Sequence, residues 1–134
     1  MEKFKGPLYE GIGIFKYEPN YKAALHIDQE ILNYYKSLIP KYFHVNKPRW
    51  SAHITVIRNE TPINVDLWGK YEGKEINFSY SPIIHYDKIY YWLNAFSRDL
   101  EQIRTELGLP VFSQYTLPPE GYLKCFHITI GNNK

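Results

Sequence analysis

Apolar and polar residues alternate along several stretches of this chain. Such alternation predicts half-buried strands, because successive side chains of a strand point to opposite faces of a sheet. The pattern is clean at residues 75–80, where Ile76, Phe78 and Tyr80 share one face. Strands are also predicted at residues 8–17, 51–57 and 82–86, at the aromatic-rich residues 89–96, and from residue 125 onward.

Two other stretches carry apolar residues at the three- and four-residue spacing of an amphipathic helix. The first helix is predicted from an N-cap at Asn20 to a stop at Pro40, and the second from an N-cap at Ser97 to a stop at Gly108. Their apolar stripes are Ala24, Ile27, Ile31, Tyr35 and Leu38 in the first helix, and Leu100, Ile103 and Leu107 in the second.

The two halves of the chain show the same predicted order of strand, helix, loop and strand. This order occupies residues 8–57 and recurs over residues 89–131. The repeat predicts a single domain, residues 1–134, built from two lobes at about 8–62 and about 75–134. A pseudo-twofold packing of the lobes would bring the last strand of each half together at a central cleft.

Each of these last strands carries the tripeptide His-Ile-Thr, as His53-Ile54-Thr55 and as His127-Ile128-Thr129. The period of a strand places His and Thr of each copy on one face and Ile on the other. The two copies together would offer two imidazoles and two hydroxyls to one site. A strand histidine is more often structural than catalytic, but the matched contexts of these two copies favour catalysis.

Two imidazoles can cleave a phosphodiester that lies beside a ribose 2'-hydroxyl, and they need no metal to do so. One removes the proton of the attacking hydroxyl and the other protonates the leaving oxygen, because the unperturbed histidine pKa of roughly 6.5 lies near neutral pH. The hydroxyls of Thr55 and Thr129 are placed to hydrogen-bond the nonbridging phosphate oxygens. We therefore expect no metal ion and no cofactor.

Composition restricts the class of substrate. The net charge of +2 argues against a protein that coats long nucleic acid, and the aromatic content of 17% provides surfaces on which bases can stack. The single Cys125 excludes an internal disulfide, and the sequence shows neither a signal-peptide pattern nor an apolar run long enough to cross a bilayer. These features predict a cytoplasmic protein that does not associate with membranes.

Paired His-x-Thr strands in duplicated strand–helix halves resemble the 2H phosphoesterase superfamily over nearly the whole chain. The resemblance implies an α+β fold of two duplicated strand–helix–strand lobes, with mainly antiparallel sheets around a central cleft and helices outside. Residues 91–94, 103–108 and 124–132 are further similar to the small bacteriophage branch of this superfamily. That branch contains anti-CBASS proteins, which degrade the cyclic di- and trinucleotide signals of bacterial immunity.

The resemblance implies metal-independent cleavage of 3',5' linkages in cyclic oligonucleotides, with His53, Thr55, His127 and Thr129 as catalytic residues. Tyr17 and Trp92 are the candidates for stacking on the bases, although each could equally be a core residue. Two alternatives remain. One is an RNA-end enzyme that acts on 2',3'-cyclic phosphates or 2',5' linkages, and the other is a module that sequesters nucleotides without cutting them.

Overall fold

The computed structural model describes residues 8–114 and 121–134. Within these ranges the chain forms six β-strands and two α-helices in two similar halves. The first half contains β1 (Tyr9–Glu18), β2 (Lys22–His26), α1 (Gln29–Ser37) and β3 (His53–Ile57). The second half contains β4 (Glu75–Tyr86), β5 (Tyr90–Phe96), α2 (Arg98–Glu106) and β6 (Phe126–Asn132).

The six strands form one closed antiparallel barrel in the order β1-β2-β3-β6-β5-β4. The predicted α+β fold of two lobes around a central cleft is therefore wrong. Strands of both halves belong to a single sheet, because β3 pairs with β6 and β1 pairs with β4. The repeat itself is present, since each half has the order strand, strand, helix, strand and supplies three neighbouring strands to the barrel.

The strand that the sequence pattern missed is β2. Asn20 is not a helix N-cap: Asn20 and Tyr21 have φ of 65° and 52°, and this left-handed backbone turns β1 back into β2. The N-cap of α1 is Asp28, whose carboxylate accepts the Glu30 N–H. The buried segment around Leu25 forms a strand because β1 and β3 both pair with it, and this pairing overrides the helical spacing.

One face of the sheet, here called the helix face, packs against both helices. Paired residues of antiparallel strands share a face, so the pairings of Leu25 with Ile54, of Ile54 with Ile128 and of Ile128 with Leu93 define a continuous apolar row. These four side chains are fully buried. They form a single core with Phe15 and with the helix residues Leu32, Tyr35, Leu100 and Ile103.

The glycines of β1 allow close packing of the neighbouring strands on this face. A Cβ at Gly13 would lie 2.6 Å from Leu25 Cγ and 2.7 Å from the His26 carbonyl oxygen. A Cβ at Gly11 would lie 2.6 Å from the Phe78 ring. The two glycines of β1 therefore make room for the side chains of the neighbouring strands.

None of the helices in residues 8–114 and 121–134 is long and apolar enough to cross a membrane.

A buried ion pair connects α2 to the end of β3. The guanidinium of Arg104 is fully buried, donates to both carboxylate oxygens of Glu60 at 2.9 Å, and donates to the Val56 carbonyl at 2.7 Å. Burial by itself would raise the pKa of the Glu60 carboxyl, but hydrogen bonds from Arg104 and from the Arg58 amide hold that pKa below its usual value. The ion pair thus holds the strand that carries His53.

We expect Arg104→Ala to lower the free energy of unfolding by about 3–5 kcal/mol, because it leaves a buried carboxylate without its guanidinium partner. The matched control is Lys16→Ala, which breaks the Lys16–Glu72 pair whose side chains are half exposed and should cost less than about 1 kcal/mol. Urea unfolding followed by circular dichroism measures both. Equal losses in the two variants would contradict the structural role of Arg104.

Candidate active site

The two His-Ile-Thr motifs lie on adjacent strands and face the same way. Ile54 of β3 pairs with Ile128 of β6 in antiparallel register, and both point into the core. The residues on either side of each Ile therefore point to the opposite face of the sheet. We call this the histidine face, and its members are His26, His53, Thr55, His85, Trp92, Asn94, His127 and Thr129.

The register sets the arrangement of the four motif residues. Because the strands are antiparallel, His53 lies across from Thr129, and Thr55 lies across from His127. The two histidines thus occupy diagonal positions, which are roughly 7–8 Å apart in a sheet. Each histidine thus has one motif threonine as its cross-strand neighbour.

Residues of the two neighbouring strands, β2 and β5, lie across from the motif residues on the same face. On one side, β2 places His26 across from His53, with ring centroids 6.5 Å apart. On the other side, β5 places Trp92 across from Thr129 and Asn94 across from His127. The histidine face therefore extends over at least four strands.

The backbone beside β3 holds the His53 ring. Its Nδ1 lies 2.8 Å from the Ser51 carbonyl oxygen. A carbonyl only accepts hydrogen bonds, so Nδ1 carries the proton and Nε2 is left to face the site in the neutral ring. The first helix fixes this segment, because the Gln29 side chain accepts the Ala52 N–H at 2.7 Å and the Ala52 carbonyl accepts the Ile27 N–H.

The environment of His127 is different. Its Nε2 is buried and, among the described residues, has no hydrogen-bond partner. The Trp92 ring contacts the imidazole edge-on, with centroids 5.8 Å apart. Burial, and secondarily the proximity of His85, lowers the pKa of His127 from about 6.5 to about 4. The ring is therefore uncharged at neutral pH.

The side chains of Trp92, Asn94 and His85 form a hydrogen-bonded network next to His127. The Trp92 indole N–H donates to Asn94 Oδ1 at 3.1 Å, so the Asn94 amide nitrogen faces His85 Nε2, at 3.3 Å. An amide nitrogen only donates, and His85 Nε2 therefore accepts and carries no proton. Burial lowers the pKa of His85 below its usual value, which agrees with an uncharged ring.

Trp92 is covered on the histidine face. His85 stacks on its indole at 5.6 Å, and Tyr122 contacts both rings edge-on. Only 5% of Trp92 is exposed, so neither face of its indole is open to a base. The structure places Trp92 beside His127, with its indole covered and not available as a stacking platform.

Tyr17 lies away from the histidines. It pairs with Ala23 and points to the helix face, where its ring packs against Phe15 and Trp68. Its hydroxyl oxygen accepts the Tyr71 N–H at 3.2 Å, and burial raises the pKa of the phenol. Of the two aromatic residues predicted to bind substrate, Tyr17 thus has a structural position only.

The sequence pattern did not identify three members of the histidine face. His26 falls within the predicted first helix because β2 was missed, and His85 lies in a predicted strand that carries no His-Ile-Thr motif. Asn94 is two residues from Trp92 in a strand, and this spacing was the available signal that it shares the Trp92 face. Within residues 8–114 and 121–134, no group of three or more His, Cys, Asp or Glu side chains is arranged to hold a metal ion.

Compared with protein-family models, with curated proteins and with solved structures, the chain matches none.

We expect His127 to titrate near pH 4 in the folded protein, because its ring would have to take up a charge in a buried position. Histidine side-chain 15N shifts, recorded from pH 3.5 to pH 8 and assigned with a His127→Gln sample, measure this pKa. Titration of His127 near pH 6.5 would contradict the buried environment described above.

The same shift predicts that acid destabilises the fold. The pKa of His127 is lower in the folded state than in the unfolded state, so the unfolded state binds the proton first as the pH falls below about 6.5. The free energy of unfolding should therefore fall by about 2–3 kcal/mol from this group between pH 7 and pH 4.5. His127→Gln should reduce this pH dependence in urea unfolding experiments. Part of the pH dependence should remain in this variant, because the pKa of His85 is lowered in the same direction.

Proposed function

We propose that this protein is a metal-independent phosphodiesterase that cleaves 3',5' linkages of cyclic di- and trinucleotides by two-histidine acid–base catalysis. The observation that carries the proposal is the pairing of Ile54 with Ile128. It places His53, Thr55, His127 and Thr129 on one face of two adjacent strands. The proposal rests on these paired motifs and does not require two separate lobes.

His127 is the proton acceptor in this proposal. Its uncharged ring removes the proton of the ribose 2'-hydroxyl, whose oxygen attacks the adjacent phosphorus. As the new O2'–P bond forms, the P–O5' bond breaks. The product carries a 2',3'-cyclic phosphate on one side and a free 5'-hydroxyl on the other.

His53 is the proton donor. When its ring is protonated, the Ser51 carbonyl continues to accept from Nδ1, and Nε2–H gives its proton to the leaving O5' atom. The hydroxyls of Thr55 and Thr129 donate to the nonbridging oxygens, where charge builds up in the transition state. With water in place of the 2'-hydroxyl, the same two rings can open the cyclic phosphate with their roles reversed.

A small cyclic substrate is supported by charge and by resemblance. The net charge of +2 provides no long basic track for RNA. The similarity of residues 91–94, 103–108 and 124–132 to the bacteriophage anti-CBASS branch suggests a cyclic nucleotide signal of bacterial immunity as the substrate. Destruction of such a signal would counteract the CBASS defence of a host bacterium.

The test is incubation of the protein with cyclic dinucleotides in EDTA, with separation of the products by chromatography. We expect turnover, and we expect His53→Ala and His127→Ala each to lower kcat by about 10²–10⁴-fold, the usual contribution of one acid–base group. Thr55→Val and Thr129→Val should each lower kcat by about 10-fold or more, because a transition-state hydrogen bond is lost.

The matched control is His44→Asn. His44 is exposed outside the strands and has φ of 54°, which asparagine tolerates. This variant should keep full activity. Turnover that requires added metal, or that survives replacement of either motif histidine, would refute the mechanism.

Two further outcomes identify the alternatives. A linear RNA with a 2',3'-cyclic end, offered together with the cyclic dinucleotide and consumed in preference to it, would identify an RNA-end enzyme. Stoichiometric binding of the cyclic dinucleotide without turnover would identify a sequestering module.

A further inference from the structure

The strands on the two sides of β3 and β6 differ in how far their side chains on the histidine face are exposed to solvent. On the β5 side, Trp92 and Asn94 are each only 5% exposed, and Tyr122 packs over Trp92. On the β2 side, the neighbouring position is His26, which is exposed. A substrate held between His53 and His127 therefore cannot extend over β5 without displacing packed rings, whereas β2 is open to it.

His26 is the residue that such a substrate meets first. Its register partner is His53, and its ring centroid lies 6.5 Å from that of His53. Both side chains belong to the histidine face. His26 thus lies one strand away from the position proposed for the scissile phosphate, on the accessible side.

We propose that His26 forms a second phosphate subsite, which binds the phosphodiester next to the scissile one in a cyclic oligonucleotide. This inference rests on the function proposed above. It adds an explanation of why the enzyme would prefer a substrate with more than one phosphate. In a cyclic dinucleotide the second phosphate belongs to the same ring and lies within one nucleotide of the first. An imidazole N–H donates to a phosphate oxygen in either charge state of the ring.

Two lysines on this face, Lys16 and Lys22, have acidic residues as neighbours. Lys16, two positions along β1 from the partner of His26, lies 3.5 Å from the Glu72 carboxylate. Lys22 is paired across the hairpin with Glu18. On β4, Glu75 is paired with Ile14, and Ile14 separates it from His26. His26 is therefore the best-placed donor for a second phosphate.

The test compares a substrate with two phosphates, a 3',5'-cyclic dinucleotide, with a substrate that has one, a 2',3'-cyclic mononucleotide. His26→Phe keeps an aromatic ring against His53 but removes both N–H groups, while His26→Gln keeps a donor. We expect His26→Phe to raise KM for the dinucleotide about tenfold with kcat unchanged, the effect of one lost hydrogen bond to a charged group. It should leave kcat/KM for the mononucleotide unchanged, and His26→Gln should recover most of the lost affinity.

Lys16→Ala is the control for a general charge effect and should leave both substrates unaffected. An equal loss of kcat/KM for both substrates in His26→Phe would show that His26 only supports His53, and would overturn the subsite. An unchanged KM for the dinucleotide, or an equal rise in KM in Lys16→Ala, would overturn it too.

The failure of this inference can be distinguished from a failure of the proposed function. If the wild-type protein turns over neither substrate, the phosphodiesterase proposal fails, and calorimetric binding of the cyclic dinucleotide to wild type and His26→Phe still decides the subsite. Binding weakened about tenfold in His26→Phe supports it, and equal binding, or the absence of binding, overturns it.

Discussion

The structure depends on the pairing of β3 with β6 at Ile54 and Ile128. This is one of the two pairings between barrel strands that join the first half of the chain to the second, the other being that of β1 with β4. Both isoleucines are fully buried, so their burial contributes to the common core while their neighbours point away from it. A shift of one residue in this register would turn the motif histidines into the core and the isoleucines out of it. Closure of the barrel and assembly of the candidate site are thus the same event.

The two motifs are identical in sequence, but their surroundings are not. His53 hydrogen-bonds the Ser51 carbonyl and has the exposed His26 as its neighbour. His127 has an edge-on indole and a buried amide beside it, and burial lowers its pKa to about 4. The symmetric repeat thus contains two imidazoles with different surroundings. The difference comes from the neighbouring strands, since β2 leaves its side of the face open and β5 closes its side.

Polar groups buried on both sides of the sheet hold this arrangement. On the helix face, Arg104 and Glu60 fix the end of β3 through the Val56 carbonyl. On the histidine face, Trp92, Asn94 and His85 form a hydrogen-bonded chain behind His127. The Arg104 guanidinium and the Trp92 indole each donate to an acceptor within these groups, so the hydrogen bonds fix the positions of the elements that they join. Nε2 of His127 is buried and, among the residues that the structure describes, has no hydrogen-bond partner.

Local patterns in the sequence determined much of this protein. Residue patterns identified β1, β3, β5 and β6, Ser97 correctly marked the start of α2, and the two tripeptides identified the face that carries the histidines. These features depend on side chains close together in the chain, so they can be read without the fold. Only the tertiary structure decided that residues 22–26 form a strand, because the ladders to β1 and β3 outweigh a helical spacing. It also decided that the halves close into one barrel, that Tyr17 lies apart from the site, and that His26 and His85 join it. Those outcomes depend on pairing between strands that are distant in sequence. A local pattern of residues does not determine which strands will pair.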